Sequence, residues 1–278
     1  TGLDGVFFTG SAETGKAIHR AFAGHPEKIL ALEMGGNNPL LVFDVADLDA
    51  AAYLTILSAY ITSGQRCSCA RRLIVPNGRD WERFIDRLAA MVRKIRVGVY
   101  TDTPEPFMGP VISDEAADEL LSVQDGFIAD GARTLIRMEP LRGIEALLSP
   151  GLIDVTDIQH REDVELFGPL LQLIRVEDFD EALKEANDTA YGLAAGLLSD
   201  NADLYDRFRR KIKTGVVNWN RHTTGASSAM PFGGIGLSGN HRPSAYFAAD
   251  YCAYPVASIE TDALEKPEAT LPGIDLEP

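Results

Sequence analysis

Cysteine is scarce in this sequence: its 278 residues include only three, Cys67, Cys69 and Cys252. Three cysteines are too few for the disulfide framework of a secreted domain, so a reducing, cytoplasmic compartment is favoured. One residue separates Cys67 from Cys69, which is not the spacing of a CxxC redox or zinc motif. No other cluster of cysteines and histidines completes a metal site. We therefore predict that the protein has no metal centre.

Positive charge and long apolar runs are also scarce. Lysine and arginine number 26 against 41 acidic residues, which gives a net charge of -15. Such a surface disfavours binding to nucleic acid or to anionic membranes. No apolar run approaches the roughly 20 residues that span a bilayer. The composition therefore predicts a soluble protein whose partners are small molecules, with no nucleic acid and no membrane among them.

The sequence begins with neither an initiator methionine nor a signal peptide. It opens on a strand-like run at residues 5–8, followed by a glycine-bounded turn, a helix to about residue 23 and a second strand at residues 28–33. A β-turn-α-β unit implies a parallel pair of strands, and two strands alone do not make a stable parallel sheet. We therefore expect the chain to be part of a larger protein.

Apolar periodicity predicts that strands and helices alternate through the rest of the chain. Strands are expected at residues 40–43, 73–75, 170–176, 192–198, 215–219 and 251–259, and helices at residues 47–63, 81–95, 114–131, 179–187 and 203–213. This alternation predicts an α/β fold.

The turn after the first strand, GSAETGK at residues 10–16, satisfies the first seven positions of a P-loop. The eighth position should carry a hydroxyl group that reaches a magnesium ion, and Ala17 occupies it. No acidic strand end supplies a second metal ligand, so an NTPase is disfavoured. The strand-turn-helix geometry still offers a helix N-terminus to phosphate, and the pyrophosphate of a dinucleotide fits it better.

Two residues have the chemistry of a catalytic pair. Glu33 ends an apolar strand before two glycines, at the sheet edge where α/β proteins bind ligands. The alternative for Glu33 is a solvated carboxylate at a strand end. Cys67 stands beside Arg66 and close to Arg71 and Arg72, which predicts a lowered pKa for its thiol. The alternative for Cys67 is a small buried thiol.

Four segments occur in a fixed order: LEMGGNNP, GQRC with its cysteine 34 residues after the glutamate, ELFGP, and PFGG-x-G-x-SG. The third segment places a carboxylate two residues from an aromatic ring, and by itself it is equally an ordinary tight turn. The ordered set resembles the signature motifs of the aldehyde dehydrogenase superfamily, and the resemblance covers nearly the whole chain.

The resemblance implies a mechanism. Cys67 would be the nucleophile whose thiolate attacks the aldehyde carbon, with its backbone N–H holding part of the oxyanion. Glu33 would be the base that activates water to hydrolyse the resulting thioester. The coenzyme implied is NAD, and NADP stays open as an alternative. The residues expected to bind it are Gly10, Ser11 and Gly15 at the phosphates, Glu165 at the nicotinamide ribose and Phe167 beside the nicotinamide.

Three further stretches narrow the resemblance. GQRCSCARR, VNWN at residues 217–220 and GNHRPSAYFAADYC at residues 239–252 resemble the family members that oxidise N-succinylglutamate 5-semialdehyde in bacterial arginine degradation. That substrate carries two carboxylates, and arginine binds such groups bidentately. The residues expected to bind them are Arg66, Arg221 and His222, with His241 and Arg242 as further candidates. Each of these is equally readable as a solvated surface charge.

By the same resemblance the chain divides into three parts. Residues 1–35 would belong to a partial, Rossmann-type coenzyme domain, residues 36–238 would form the catalytic domain, and residues 239–278 a C-terminal oligomerisation segment and tail. The strand expected at residues 251–259 resembles the arm that pairs with a neighbouring subunit, so a homodimer or homotetramer is expected. An unpaired apolar edge strand otherwise invites aggregation.

Members of this family run to almost twice the length of this chain. The resemblance places most of the coenzyme domain, and one asparagine of the oxyanion hole, before Thr1. We therefore expect the chain by itself to have little or no activity. Two other functions stay open: a thiol esterase that uses Cys67 and Glu33 without coenzyme, and a noncatalytic protein derived from a dehydrogenase.

Overall fold

A parallel two-stranded unit begins the fold. The computed structural model describes residues 2–265 and 272–273. Strand β1 (Gly5–Gly10) leads into helix α1 (Ala12–Ala21) and then into strand β2 (Ile29–Met34), and the two strands pair in parallel as predicted. The hydroxyl of Ser11 caps α1 by accepting a hydrogen bond from the backbone N–H of Thr14 over 3.2 Å.

A seven-stranded sheet forms the centre of the remaining chain. The strands that follow β2 are β3 (Asn38–Val42), β4 (Ala70–Pro76), β5 (Arg133–Ile136), β6 (Pro140–Leu141), β7 (Ile144–Leu148), β8 (Gly151–Asp154), β9 (Leu170–Val176), β10 (Ala194–Leu198), β11 (Val216–Trp219), β12 (Pro231–Phe232) and β13 (Ser244–Ala245). The sheet order is β11-β10-β3-β4-β9-β8-β5, and β5 alone in this sheet runs antiparallel to its neighbour. Strands β6 and β7 pair separately, as do β12 and β13.

Helices cover both faces of this sheet. They are α2 (Leu48–Tyr60), α3 (Arg79–Val92), α4 (Asp114–Ala129), α5 (Phe179–Asn187) and α6 (Ala202–Lys211). Because successive side chains of a strand point to opposite faces, Leu40 and Val42 share one core with α2 and α3, whereas Leu41 shares the other with α4, α5 and α6. This layering is the α/β fold that the sequence predicts.

The middle of the chain was predicted incompletely. The bounds of β9 and α5 agree with the prediction, but the four strands from β5 to β8 were missed. These strands are two to five residues long, and the tight β6–β7 connection contains Arg142 and Gly143 at positive φ. Such short strands carry too few alternating positions for a periodicity to stand out.

Two other predictions are wrong. Helix α2 ends at Tyr60, before the predicted residue 63, and a short 3-10 turn (Ile61–Gly64) follows it. Residues 251–259 form no strand. A strand needs a hydrogen-bonded neighbour, and no strand of the described part of this chain lies beside that segment, so Tyr254, Val256 and Ile259 are exposed. Oligomerisation through this segment stays a prediction, as do the domain boundaries at residues 35 and 238.

None of the helices in the described ranges is long and apolar enough to cross a lipid bilayer.

Candidate active site

The predicted catalytic pair lies where the two sheets meet. Glu33 is the second-last residue of β2, at the carboxyl end of the two-stranded sheet, as predicted. Cys67 lies in the turn before β4, at the amino end of the seven-stranded sheet. A cavity of about 630 Å³ opens at this junction. Its lining brings together six of the residues that the sequence singles out: Gly10, Ser11, Arg66, Cys67, Glu165 and Phe167.

A strained turn leads into Cys67. Thr62, Ser63 and Gly64 all have positive φ, at 56°, 57° and 70°, a region that residues with a Cβ adopt only at an energetic cost. Gly64 also has no room for a side chain, since a Cβ there would lie 2.1 Å from the carbonyl oxygen of Gly168. The turn is therefore built directly against the ELFGP segment, which fixes Cys67 relative to that segment.

One buried side chain, Asn38, holds the turn that carries Cys67 (residues 62–69, called the cysteine turn below) against the start of β3. Its amide nitrogen donates to the carbonyl oxygens of Cys67 over 2.7 Å and of Cys69 over 2.9 Å. Its amide oxygen accepts from the backbone N–H of Ala194 over 3.0 Å. A Cβ on Gly36 would lie 2.4 Å from that oxygen, so the second glycine of the motif leaves room for the amide. Asn38 thus joins three segments of the chain behind the nucleophile.

The expected low pKa of Cys67 is wrong in this structure. Burial raises the pKa of the thiol, and the charges of Glu165 and Glu33 raise it further. The neighbouring arginines are engaged elsewhere: Arg71 forms an ion pair with Glu165 at 3.7 Å, and Arg72 donates to backbone carbonyls on the far side of the turn. The free site therefore holds Cys67 as a thiol at neutral pH.

Glu33 has the properties of a proton acceptor. Its side chain is 8% exposed, and burial raises the pKa of the carboxyl to about 7, although the backbone N–H of Ser244 faces it and lowers that pKa in part. Its Oε2 has no hydrogen-bond partner among the described residues. A Cβ on Gly233 would lie 2.7 Å from Oε1, so glycine keeps that side of the carboxyl open. A carboxyl with a pKa near neutrality is suited to general base catalysis.

The segment at residues 238–240 holds the strand that carries Glu33. The side-chain amide of Asn240 donates to the carbonyl of Leu30 over 2.8 Å and accepts from the N–H of Leu32 over 2.9 Å, which are the bonds that a neighbouring strand would make. The hydroxyl of Ser238 donates to the carbonyl of Gly35 over 2.6 Å. The end of β2 and the residue that follows it are therefore both held by this one segment.

Glu165 and Phe167 form one wall of the cavity. Burial raises the pKa of the Glu165 carboxyl even though Arg71 lies beside it, and its Oε1 has no hydrogen-bond partner among the described residues. The ring of Phe167 is 42% exposed on this wall, with the Arg71 guanidinium 5.4 Å from its centre. A carboxyl group and an exposed aromatic ring on one cavity wall suit the hydroxyl groups of a ribose and a planar ring.

The predicted phosphate-binding residues are only partly gathered at the cavity. Gly10 and Ser11 line it at the start of α1. Gly15 is buried within α1, where a Cβ would lie 2.2 Å from the sulfur of Met34. The structure therefore places Gly15 in the packing between α1 and β2, outside the cavity lining.

Three of the predicted substrate residues lie close enough to affect one another electrostatically. The pKa of His222 is lowered by burial and, to a smaller extent, by the positive charges of Arg221 and Arg66. His222 Nδ1 lies 2.6 Å from Thr224 Oγ1, and Arg66 Nε donates to the hydroxyl of Thr62. Of the further candidates, Arg242 lines a separate cavity. The positive charge of this group comes from the two arginines, because the lowered pKa of His222 favours its neutral form, and arginine suits a carboxylate ligand.

Three site residues escaped the sequence analysis as individuals. Asn38, Ser238 and Asn240 stand inside the quoted motifs, but their roles depend on contacts with segments far away in the chain. The signal that could have found them is an amide or hydroxyl side chain beside motif glycines, where a turn leaves backbone groups to be satisfied. Across the described residues, no group of three or more His, Cys, Asp or Glu side chains could hold a metal ion.

Comparison with known proteins identifies relatives of the chain. The family model described as the aldehyde dehydrogenase family matches residues 1–255. An N-succinylglutamate 5-semialdehyde dehydrogenase from Hahella chejuensis is 55% identical, and one from Chromobacterium violaceum is 58% identical, each over 275 residues. These alignments cover 99% of this chain and 56% of each relative. The chain thus spans little more than half the length of the curated relatives that it matches.

Solved structures also resemble this fold. Betaine aldehyde dehydrogenase from Staphylococcus aureus, solved in complex with NAD+, superposes with a TM-score of 0.82 at 32% identity, over 89% of this chain and 50% of that one. A 1-pyrroline-5-carboxylate dehydrogenase superposes with a TM-score of 0.79 at 33% identity, over 87% of this chain and 48% of that one.

Proposed function

The chain belongs to the aldehyde dehydrogenase family, and from that membership we propose that it carries the nucleophile and the base of an enzyme that oxidises an aldehyde to a carboxylate with NAD or NADP. The observation that carries the proposal is the proximity of Cys67 to a buried Glu33 whose pKa is about 7. A nucleophile beside a base of near-neutral pKa is the arrangement that covalent catalysis requires.

In the proposed first step, the sulfur of Cys67 bonds to the aldehyde carbon and the carbonyl π electrons move to the oxygen. Because burial and two carboxylates raise the pKa of this thiol, its proton must leave as the bond forms. Glu33 is the nearby group whose pKa suits it to accept that proton, directly or through one water molecule. The backbone N–H of Cys67 would donate to the new oxyanion.

The residues around the cavity fit a nicotinamide coenzyme. The carboxyl group of Glu165 would accept from the ribose hydroxyls, and the ring of Phe167 would lie against the nicotinamide. Gly10 and Ser11 would face the phosphates at the start of α1. The chemistry that bound NAD(P)+ supplies is acceptance of the hydride equivalent from the thiohemiacetal carbon, which leaves a thioester on Cys67.

In the proposed last step, Glu33 acts a second time. The carboxyl, whose pKa is about 7, first releases the proton from Cys67 to solvent. The carboxylate then takes a proton from a water molecule, and the water oxygen bonds to the thioester carbon. The carbon–sulfur bond then breaks, which releases the carboxylic acid and returns the Cys67 thiolate. The open side of Glu33 at Gly233 leaves its carboxyl free to orient that water.

We propose N-succinylglutamate 5-semialdehyde as the aldehyde. The support is the name shared by the curated relatives at 55–58% identity, together with the positive charges of Arg66 and Arg221 beside His222. This substrate has two carboxylates, and a protein of net charge -15 attracts such an anion only where it gathers local positive charge. We also propose a cytoplasmic homo-oligomer, with residues 251–259 pairing between subunits.

The test is to trap the thioester in the full-length protein. Glu33→Gln should acylate Cys67 more slowly, because solvent must then take the thiol proton, and should hydrolyse the product more slowly still. Intact mass after mixing with the semialdehyde and NAD should therefore show a succinylglutamyl adduct. Peptide mapping should place it on Cys67, and the double variant Glu33→Gln with Cys67→Ala should show none.

A wild-type protein that forms neither NADH nor an adduct with this aldehyde would overturn the proposed substrate. Hydrolysis of a simple ester that requires Cys67 and is indifferent to NAD, without oxidation of any aldehyde, would instead favour the thiol esterase.

A further inference from the structure

Arg71 is a fully buried arginine directly behind the cysteine turn. Its guanidinium donates from Nη1 to the carbonyl of Gly64 over 2.5 Å and from Nη2 to the carbonyl of Arg66 over 3.0 Å. It also forms the ion pair with Glu165 and packs against the ring of Phe167. Its side chain has 0% exposure, so none of these contacts is shared with bulk water. The guanidinium thus touches both the nucleophile turn and the wall proposed to bind coenzyme.

The bond to Arg66 constrains the next peptide group. The carbonyl of Arg66 and the N–H of Cys67 belong to one trans peptide, in which these two groups point in opposite directions. The same carbonyl also accepts from the N–H of Cys69 over 2.9 Å. Because two donors hold this carbonyl, the N–H of Cys67 is turned away from Arg71, and Cys67 is itself one of the residues that line the cavity.

The N–H of Cys67 is left free by this arrangement. It makes no hydrogen bond to any residue in the part of the chain that the structure describes. An unpaired backbone donor at a partly buried turn is uncommon. It is, however, what an oxyanion site requires, since the donor must be available when negative charge develops on the substrate oxygen.

We propose that Arg71 is a positioning residue for the reaction: by holding the carbonyl of Arg66, it aims the N–H of Cys67 at the oxyanion of the thiohemiacetal. This inference rests on the proposed function and adds to it the side chain that orients the donor. Arg71 acts on the peptide plane: its guanidinium donates to the carbonyls of Gly64 and Arg66.

The adjacent Arg72 provides a matched control. It is also buried, with 4% exposure, and its guanidinium also donates to backbone carbonyls, those of Asn37, Glu185 and Ala186. Among the described residues it does not bond to the cysteine turn. A substitution there removes a comparable set of buried bonds, so it reports the effect of lost packing and stability alone.

The experiment compares two reactions of Cys67 in the full-length protein carrying Cys252→Ser. Oxidation of the aldehyde passes through an oxyanion, whereas alkylation by iodoacetamide does not. Arg71→Lys keeps the positive charge but lacks the planar fork that reaches both carbonyls from two separate nitrogens. We therefore expect kcat to fall by roughly 10- to 100-fold, since loss of one oxyanion donor typically lowers it by about 100- to 1000-fold. The alkylation rate of Cys67 should stay within about threefold, because iodoacetamide reactivity follows the thiolate fraction and the access to sulfur.

Arg72→Lys should leave both rates close to those of the unsubstituted protein, whatever its effect on the melting temperature. A parallel fall of oxidation and alkylation in Arg71→Lys would show that the turn has collapsed, and would overturn the proposal. An unchanged kcat would overturn it as well. Arg71→Gln, which retains one amide donor, is the second variant: it should show the same split between the two rates.

If neither Arg71 variant folds, the role of Arg71 is to stabilise the fold and not to orient the N–H of Cys67. That result would also count against the inference. A wild-type protein without aldehyde oxidation but with a reactive Cys67 would contradict the proposed function instead. In that case Cys67-dependent ester hydrolysis, which also passes through an oxyanion, replaces aldehyde oxidation as the readout for Arg71.

Discussion

Asn38 and Cys67 are joined by a hydrogen bond of 2.7 Å, from the side-chain amide of the first to the backbone carbonyl of the second. The bond crosses from the first residue of β3 to the turn before β4, so it ties the LEMGGNNP motif to the GQRC motif. The register of β3 against β4 shifts between Asn38 and Pro39, which is the point where the amide reaches across. The spacing between the two motifs in the sequence is thus matched by a direct contact.

Asn38→Ala should lower both stability and turnover. It leaves the carbonyls of Cys67 and Cys69 without their donor in a buried site, so the free energy of unfolding should fall by about 1–3 kcal/mol. Urea denaturation measures the loss. Asn37→Ala is the control, because Asn37 is equally buried but its amide bonds to Asp163. If kcat falls equally in both variants, the contact with the cysteine turn is not the cause.

Gly64→Ala should be more damaging than Gly143→Ala. Both glycines have nearly the same positive φ, 70° and 67°, so the backbone strain of roughly 1–2 kcal/mol is common to both. A Cβ at Gly143 meets nothing within 4 Å, whereas at Gly64 it would lie 2.1 Å from the carbonyl oxygen of Gly168. We expect a larger loss of melting temperature at Gly64, with loss of Cys67 reactivity at that position alone. Equal losses of melting temperature at Gly64 and Gly143 would mean that the turn at Gly64 is not packed tightly against Gly168.

Glu33→Gln should stabilise the protein at alkaline pH while it slows thioester hydrolysis. The carboxyl has a pKa of about 7 in the fold against an ordinary value of 4.5, so the fold favours its protonated form. This stabilisation is present below pH 4.5 and is lost as the pH rises through 7. Glutamine does not ionise, so its melting temperature should exceed that of the wild type above pH 7, and the difference should shrink towards pH 4.5. A difference that does not vary with pH would contradict the raised pKa of Glu33.

Arg66→Gln and Arg221→Gln should discriminate between substrates. A hydrogen bond to a charged group contributes roughly 1.5–3 kcal/mol, so KM for the dicarboxylate semialdehyde should rise by about tenfold or more. The KM for an uncharged aldehyde such as propanal should not change. Arg83→Gln, on the exposed surface, is the control and should alter neither value. A similar rise in KM for both aldehydes would mean that these arginines do not bind carboxylates.

The layers and most of the long elements could be predicted from the sequence. The sequence indicated β9 and α5 with their observed bounds, because β9 is a largely apolar run buried on both faces and α5 keeps one buried face. Periodicity failed for β5 to β8, which are too short, and for residues 251–259, where an apolar alternation exists without a partner strand in the described chain. Pairing is a property of two segments, and one segment does not reveal it.

The candidate site could be predicted in its residues but not in its electrostatics. The order of the motifs indicated Cys67, Glu33 and Glu165, and the structure gathers them at one junction. The sequence placed two arginines near Cys67 and so favoured a low pKa, yet distance along the chain did not show that Arg71 and Arg72 point away from the thiol. The sign of the pKa shift depends on where the arginine side chains point, on the burial of the thiol and on the carboxylates of Glu165 and Glu33. All three depend on tertiary contacts.

Only Gly35, Gly36 and Asn37 separate the end of β2 from the start of β3. Ser238 holds the first of these three residues, and Asn38 immediately after them holds the cysteine turn. Glu33 therefore lies just before this three-residue segment, and the turn that carries Cys67 is bonded to the residue just after it. The relative placement of Glu33 and Cys67 therefore depends on this segment and on the two side chains that hold it.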